Sequence, residues 1–383
     1  MKLKRSNFQR LLSEPHFYYA LFKKRVLTRY NTKFLDGQSP LLELCYFILT
    51  WRCNLRCKMC FEYGASGIFS ETSSTDLRRN EMEIEDWKRI VDDLQKFRPI
   101  IHLFGGEPLL YEDLDELVWY IKQAELRCQI VTNGTLLAQK ARELVNNGVD
   151  EVWVSVDGPR DIHDQIRGVD GTYDKILNGI EILTKLKKEE KASKPIINFI
   201  YTITDENYTR LGQFMESIDE YAVPLVVFSH VLFLTEDLLR RHVGQFDTMF
   251  QTTSKEWEGY VIDPAKNIHI DGLIESIREV KEKYGKRISF SPDLAENELR
   301  AYYKDFRYTV NRMCYAPWLT AVISPEGNVS PCSDFVIGNT KNKSFDEIWN
   351  GEKVRTFRRA LVKRRKFPVC DRCCMIHRHA IFH

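Results

Sequence analysis

The sequence predicts an α/β fold: a partial (β/α)6 TIM-like barrel followed by a small C-terminal module. Between residues 43 and 231, short apolar runs alternate with segments whose apolar residues recur three and four positions apart. This alternation is typical of a parallel sheet built from strand-helix units. Polar, glycine-containing turns follow the apolar runs, and five of the ten cysteines lie after residue 310. A chain of 383 residues is long enough for such a barrel and a further module.

The predicted elements form six repeats. Strands are predicted at residues 44–50, 100–104, 128–132, 151–156, 196–203 and 225–230. Helices are predicted at residues 83–97, 113–124, 138–147, 173–188 and 208–221. Gly148 is a typical residue for ending the third helix. In barrels of this kind, catalytic groups gather in the loops that follow the strands.

The barrel is predicted to be one of four regions. Residues 1–42 form a basic helical extension, residues 43–231 the barrel, residues 232–310 a linking region, and residues 311–383 the C-terminal module. The extension carries nine Lys or Arg against two acidic residues, interleaved with aromatic and aliphatic residues. Two interpretations remain open for it: a basic amphipathic helix that touches a membrane surface or a partner, or a helix packed across the barrel.

Composition excludes several classes of protein. With 56 Lys and Arg against 54 Asp and Glu, the net charge of +2 gives no case for a nucleic-acid partner. No long apolar run or signal core appears, so we expect a cytoplasmic protein. Ten cysteines in that reducing compartment indicate metal or redox chemistry rather than disulfides. Cys45 and Cys128 lie within predicted strands and are interpreted as small buried hydrophobic residues.

Three cysteines follow the first strand at the spacing Cys53-x3-Cys57-x2-Cys60. Three thiolates can hold three irons of a cuboidal 4Fe-4S cluster and leave the fourth iron open to a substrate or cofactor. A zinc site is the alternative, but the next residues offer no nearby fourth ligand. The spacing resembles that of the radical S-adenosylmethionine (AdoMet) superfamily. In that family the open iron binds AdoMet, and an electron from the cluster cleaves it to a 5'-deoxyadenosyl radical.

The next two strand ends extend this resemblance. Gly105, Gly106 and Glu107 follow the second strand and resemble the family's GGE motif, which binds the amino group of AdoMet. Asn133 follows the third strand, and at this position relatives contact AdoMet. A simple turn is the alternative for Asn133 and the glycine after it.

The fourth strand end and the segment after it carry further candidates. Ser155 and Asp157 lie where relatives contact the ribose and carboxylate of AdoMet, with turn chemistry again the alternative for Asp157. His163 to Gly168 resembles the family's H-x3-R-G segment, so Arg167 is expected to pair with the AdoMet carboxylate. His163 is either a site residue or a structural hydrogen-bonding residue.

The C-terminal cysteines resemble the SPASM or twitch extension of radical AdoMet enzymes, which carries auxiliary iron-sulfur clusters. The matching pattern is Cys314-x12-Gly327-x4-Cys332 followed by Cys370-x2-Cys373. Five cysteines favour one auxiliary 4Fe-4S cluster, held by Cys314, Cys332, Cys370 and either Cys373 or Cys374; the family spacing favours Cys373. A structural zinc knot that uses His377 or His379 is the alternative.

The resemblance implies an oxidoreductase-type or transferase-type enzyme that cleaves AdoMet and abstracts hydrogen from an organic substrate. We favour a small metabolite, sugar or lipid-linked substrate over a peptide, because 42 N-terminal residues are too few for a leader-binding domain. A peptide maturase is the runner-up, and a non-catalytic iron-sulfur or zinc protein is the alternative from another class. A flavodoxin or ferredoxin is the expected electron donor.

Overall fold

The computed structural model of the protein describes residues 14–64, 67–69, 72–221, 223–251, 256–261, 267–305, 308–333 and 335–379. Its strands are β1 Leu44–Ile48, β2 Ile100–Phe104, β3 Arg127–Thr132, β4 Glu151–Ser155, β5 Ile196–Ile203, β6 Val226–His230, β7 Ile288–Ser291, β8 Thr320–Ile323, β9 Asn328–Ser330 and β10 Gly338–Asn339.

The α-helices are α1 Pro15–Phe34, α2 Ser74–Arg78, α3 Ile84–Leu94, α4 Leu114–Gln123, α5 Leu137–Asn146, α6 Arg160–Arg167, α7 Thr172–Glu189, α8 Leu211–Ser217, α9 Glu236–Phe250, α10 Ile270–Tyr284, α11 Glu296–Lys304, α12 Ala316–Leu319, α13 Phe345–Trp349, α14 Glu352–Arg364 and α15 Met375–Arg378. None of these described helices is long and apolar enough to cross a membrane.

The strands form one sheet in the order β10-β9-β8-β1-β2-β3-β4-β5-β6-β7. Strands β1 to β7 are parallel and adjacent in chain order, as strand-helix repeats require. The six predicted strands are confirmed. The sheet is wider than predicted, because β7 extends it from β6 and β8 pairs in parallel with β1 on the other side.

Amphipathic helices cover the sheet. In α3, the residues at positions 87, 90, 91 and 94 are buried, which is the period of one helix face. Trp87 packs on Phe47 of β1 with ring centroids 4.7 Å apart. The helix predicted at 208–221 is shorter in the structure, where α8 spans Leu211–Ser217. It begins late because Asn207 Nδ2 donates to the carbonyl oxygens of Asp157 and Thr202 and holds the preceding chain to the ends of β4 and β5.

Helix α1 packs across the N-terminal ends of the strands. Lys24 Nζ donates to the carbonyl oxygens of Leu42, Phe97 and Arg98, at 2.7 to 2.9 Å, just before β1 and β2 begin. Arg25 pairs with Glu43 at 2.6 Å. The helix therefore docks on the barrel through polar groups, at the end opposite to the loops that follow the strands.

The C-terminal module contacts the loop that follows β1. A hairpin joins β8 to β9, and Gly327 takes a φ of +87° in its turn, as predicted. Trp51 Nε1 donates to Glu326 at 2.8 Å, and the Met82 amide donates to the Pro325 carbonyl at 2.9 Å. The module and the barrel thus share one sheet and further contacts at its loops.

Candidate functional site

The three-cysteine loop begins directly beyond β1. Internal hydrogen bonds shape it: the Cys60 amide donates to Cys57 O at 3.1 Å, and the Gly64 amide donates to Cys60 O at 2.7 Å. Tyr63 Oη donates to Trp51 O at 2.5 Å and ties the end of the loop to its start. All three thiols line one cavity of about 310 Å³.

Gly105 and Gly106 bring the end of β2 against the start of this loop. The Gly106 amide donates to Thr50 O at 2.9 Å, and the next amide donates to Arg52 O at 2.8 Å. A Cβ on Gly105 would lie 2.4 Å from Thr50 O, and one on Gly106 would lie 2.3 Å from Arg52 O. Both positions therefore require glycine, and both also line the cavity.

Glu107 is fully buried. Its carboxylate accepts hydrogen bonds from the amides of Leu109 and Asn133, at 3.0 and 2.7 Å, and from Thr132 Oγ1 at 2.7 Å. Burial raises the pKa of Glu107 to about 7, and the three hydrogen bonds oppose that shift. The contacts in the structure join the end of β2 to the end of β3, so the predicted bond to the AdoMet ammonium stays a prediction.

Asn133 lies where the third strand meets the cysteine loop. Its Nδ2 donates to Asn54 Oδ1 at 2.8 Å and lies 3.9 Å from Cys53 Sγ, while its Oδ1 accepts from the Thr135 amide at 3.0 Å. Asn133 and Ser155 both line the cavity. The structure brings these two candidates to the same rim, as their positions after parallel strands predict.

Arg167 forms a buried ion pair that the sequence analysis did not identify. Its Nη2 lies 2.5 Å from Asp157 Oδ2, and its Nη1 lies 3.7 Å from Cys57 Sγ. The residue after it, Gly168, has a φ of +74°, and a Cβ there would lie 2.8 Å from Arg56 O. The H-x3-R-G segment therefore packs on the cysteine loop and directs a guanidinium towards one of its thiols. Pairing of Arg167 with the AdoMet carboxylate stays a prediction.

His163 has a structural contact. It is buried, and its Nδ1 accepts a hydrogen bond from the Asp157 amide at 3.1 Å. Burial and the nearby Arg167 lower the pKa of His163 to about 3, so the ring is neutral. These contacts favour the structural interpretation of this residue.

Two further pairs of residues lie at the far side of the cavity. Phe61 and Tyr260 stack with ring centroids 4.7 Å apart at an angle of 14°, and both line the cavity. His230, at the end of β6, lines it too and bonds through Nδ1 to Tyr303 Oη at 2.8 Å. Sequence analysis missed these residues, since the partners are remote along the chain. The position of His230 at a strand end was the available signal.

The cavity fits an open iron-sulfur cluster with a bound cofactor. Three thiols, a glycine wall and small polar side chains converge there, which suits three irons and an adenosine-type ligand. Burial raises the pKa of Cys53 and of Cys60 to about 12, so each thiol must lose a proton when it binds iron. Burial also raises the pKa of Cys57, and Arg167 opposes that rise. A larger surface cleft of about 580 Å³ contains none of the predicted site residues.

The C-terminal cysteines form a second group. Cys373 interacts electrostatically with Cys332 and Cys370, and Cys314 does so with Cys332 and Cys374. The adjacent thiols of Cys373 and Cys374 hydrogen bond to each other, which lowers the pKa of Cys374 to about 7 and raises that of Cys373. These interactions place the five cysteines in one region of the C-terminal module.

The histidines of the zinc-knot alternative have other contacts. His379 is buried and lies 2.9 Å from Thr320 Oγ1, and His377 Nδ1 lies 3.4 Å from Arg312. Within the described ranges, no three His, Cys, Asp or Glu side chains are arranged to hold a single metal ion.

Comparisons with known proteins match both parts of the chain. Residues 47–218 match the model of the radical SAM superfamily, and residues 314–374 match that of SPASM, an iron-sulfur cluster-binding domain. The Fe-coproporphyrin III synthase of Methanosarcina barkeri is 26% identical over 79% of this chain and 72% of its own length. An AdoMet-dependent heme synthase of the same organism is 28% identical over 84% of this chain and 86% of its own length.

A solved structure has a similar fold. SuiB of Streptococcus suis, in a crystal structure with the precursor peptide SuiA, aligns with a TM-score of 0.59 at 14% identity. The alignment covers 88% of this chain and 72% of SuiB. At this identity the likeness concerns the fold, and it supports the barrel with its C-terminal module.

Proposed function

Because the chain belongs to the radical SAM superfamily and carries a SPASM iron-sulfur domain, we propose that it reductively cleaves AdoMet and abstracts hydrogen from a small, neutral, hydroxyl-bearing substrate. The observation that carries this proposal is the cavity that joins the three-cysteine loop to Ser229 and His230. When bound, the cluster and AdoMet supply the electron and the 5'-deoxyadenosyl radical. The chain's own residues bind these groups and position the substrate.

The cofactor side of the cavity consists of Cys53, Cys57, Cys60, Gly105, Gly106, Asn133, Ser155 and Arg167. In this proposal, the three thiolates hold the cluster and the two glycines let backbone groups approach AdoMet. Arg167 places positive charge beside Cys57, where it favours the thiolate over the thiol. Glu107 and Asp157 position this machinery, since both are fully buried and each contacts a residue of the rim.

The auxiliary site is assigned to Cys314, Cys332, Cys370 and Cys373. The proposal of one cluster rests on the convergence of these cysteines and on their number. Such a cluster would accept an electron from the substrate or hold the module together.

The substrate side is mainly apolar with neutral polar groups, and Glu62 is the one carboxylate among the described residues that line the cavity. Phe61, Tyr260 and Leu232 provide apolar surface, and Ser229 and His230 provide hydrogen bonds. Burial lowers the pKa of His230 to about 3, so the ring is neutral at physiological pH. A neutral imidazole whose other nitrogen is held by a tyrosine hydroxyl suits a substrate hydroxyl better than a carboxylate.

The charges of the residues that line the cavity argue against the porphyrin and heme chemistry named for the relatives. A substrate with several carboxylates needs several cations. Among the described residues that line the cavity, Arg167 is the one Lys or Arg, and it is already paired with Asp157. A peptide substrate is the second candidate, and the fold shared with the peptide-bound SuiB structure favours it.

The test is AdoMet cleavage under strict anaerobic reduction with separate substrate classes. Deuterated polyols and sugars should raise 5'-deoxyadenosine above the substrate-free rate and transfer deuterium into it. Coproporphyrin III and short peptides should do neither. Stimulation by coproporphyrin III or peptides alone would refute the assignment of substrate class.

Two variants distinguish residues that bind the cofactors from a residue that binds the substrate. Replacing Cys53, Cys57 and Cys60 together by Ala should abolish cleavage. His230→Phe should leave substrate-free cleavage intact but lower substrate-stimulated turnover about tenfold, the loss expected for one buried hydrogen bond. Cleavage that persists in the cysteine triple variant would overturn the cluster assignment.

A further inference from the structure

The orientation of helix α1 is unusual: its polar face packs on the barrel, and its apolar face is exposed. A helix on a protein surface normally turns its apolar stripe inward. Here the buried residues are Thr28 and Asn31, and Lys24 and Arg25 also face the barrel, where they bond to carbonyl oxygens and to Glu43. The helix is thus attached to the barrel through its polar side.

The outer face of α1 is aromatic and aliphatic. The exposed large apolar side chains of this face are Tyr19, Phe22, Val26, Leu27, Tyr30 and Phe34, and each is between 38% and 65% exposed. Of the ten such residues in the described part of the chain, six lie on this one helix. Scattered exposed apolar residues need no explanation, but a concentration along about 22 Å of helix indicates a binding surface.

The charge on the same helix is entirely positive. The sequence of α1 contains no Asp or Glu, and Lys23 and Lys33 are exposed on its outer face. Glu14, just before the helix, is paired with Arg127 of the barrel. In sequence, residues 1–13 add two Lys and two Arg and no acidic residue. The outer face therefore offers aromatic rings and cations without a counter-charge.

We propose that the outer face of α1 docks this protein on an anionic lipid surface. Aromatic side chains that lie among lysines on one face of a helix suit the region between lipid headgroups and acyl chains. The two exposed lysines on this face complement anionic headgroups.

The charges also argue against two other occupants. A second copy of the chain would bring Lys23 and Lys33 against the same unneutralised cations of its partner. Residues 1–13 of the same chain would add cations to cations if they folded back over the helix. Anionic lipid, unlike either of these occupants, supplies the missing negative charge.

The contact would leave the candidate active site free. Helix α1 covers the N-terminal ends of β1 to β3, whereas the cysteine loop and the rim of the cavity follow their C-terminal ends. Lipid binding and AdoMet cleavage should therefore be separable by mutation.

The test is co-sedimentation of the reconstituted protein with phosphatidylcholine vesicles, with and without phosphatidylserine. The wild-type protein should bind the anionic vesicles and bind the neutral ones much more weakly. The triple variant Tyr19→Gln, Phe22→Gln, Tyr30→Gln should lose about tenfold or more in partitioning. Lys23→Gln and Lys33→Gln should each reduce binding to the anionic vesicles about fivefold.

Trp119→Gln is the matched control, since this side chain is 50% exposed on α4. It should bind vesicles like the wild type. All variants should keep their iron content and substrate-free AdoMet cleavage. If the triple variant loses iron, the single Tyr19→Gln change replaces it, and its partitioning should still fall.

Three results would overturn the proposal. One is that the wild-type protein does not sediment with anionic vesicles. Another is that the glutamine variants bind vesicles like the wild type. The third is light scattering that shows a dimer which the triple variant dissociates, because the face would then belong to a second copy of the chain.

Discussion

Replacing Gly106 by Ala should disrupt the attachment of the cysteine loop to β2. The new Cβ would lie 2.3 Å from Arg52 O and 2.4 Å from Trp51 O, and both are backbone atoms that cannot rotate away. Relief of these contacts requires the start of the loop to move, which would break the hydrogen bonds from the amides of Gly106 and Glu107, at 2.9 and 2.8 Å.

The cost follows from these contacts. Overpacking costs roughly 1 to 3 kcal/mol, and each lost hydrogen bond adds about 1 kcal/mol. We therefore expect a loss of roughly 3 to 5 kcal/mol in the free energy of unfolding, since two hydrogen bonds are broken. The displaced loop should also retain less iron at the catalytic site and cleave AdoMet more slowly.

Gly244→Ala is the matched control. This glycine lies within α9 and has no positive φ, and a Cβ added there would meet no heavy atom within 4 Å. The change should stabilise the protein by roughly 0.5 to 1 kcal/mol. Anaerobic chemical denaturation followed by circular dichroism measures both variants, together with iron analysis. A Gly106→Ala protein with wild-type stability and full iron content would refute the packing argument.

Three further predictions concern buried groups. Asp157→Asn should cost about 3 to 5 kcal/mol of stability in cluster-free protein, because it leaves a buried arginine without its counter-charge; the exposed-pair control Glu216→Gln should cost under about 1 kcal/mol, and equal losses would contradict this account. Because the folded pKa of Glu107 is raised to about 7, its charged form destabilises the fold, so stability should fall by about 3 kcal/mol as pH rises from 4.5 to 7. Glu107→Gln should flatten that slope in denaturation measured across this range, and an unchanged slope would exclude Glu107 as its source. Iron analysis should find about eight irons in the wild type, with a loss of auxiliary iron in Cys373→Ala but not in Cys374→Ala. Equal retention in the two variants would contradict Cys373 as the ligand, and about twelve irons would contradict the one-cluster assignment.

The repeating part of the fold was predictable from sequence because its pattern is local. The strand bounds match within two residues, since buried parallel strands are continuous apolar runs. The pairing of β8 with β1 was not predictable, because these strands are about 270 residues apart in sequence and no periodic signal links them. The orientation of α1 was also not predictable, because its mixture of cations and aromatic residues does not indicate which face packs on the barrel.

The candidate site shows the same division. The motif residues lie at the edge of the sheet where the strands end, as their positions after parallel strands predict. Asn133 and Ser155 line the cavity with the three cysteines of the loop. Side-chain partners depend on the folded geometry, so the ion pair of Arg167 with Asp157 and the bond between His230 and Tyr303 required the structure. The burial of Glu107 under three donors could not be deduced from a motif that names only its residue type.

The pairing of β8 with β1 has a consequence for how this chain can be divided. With β8 in place, β1 is an interior strand, bonded on both sides. A barrel cut off before β8 would expose the unpaired amide and carbonyl groups of β1, next to buried residues such as Phe47. Open strand edges of this kind recruit other chains and promote aggregation. The C-terminal module thus also covers the edge of the barrel sheet at β1. We therefore expect the isolated barrel to aggregate and to express poorly.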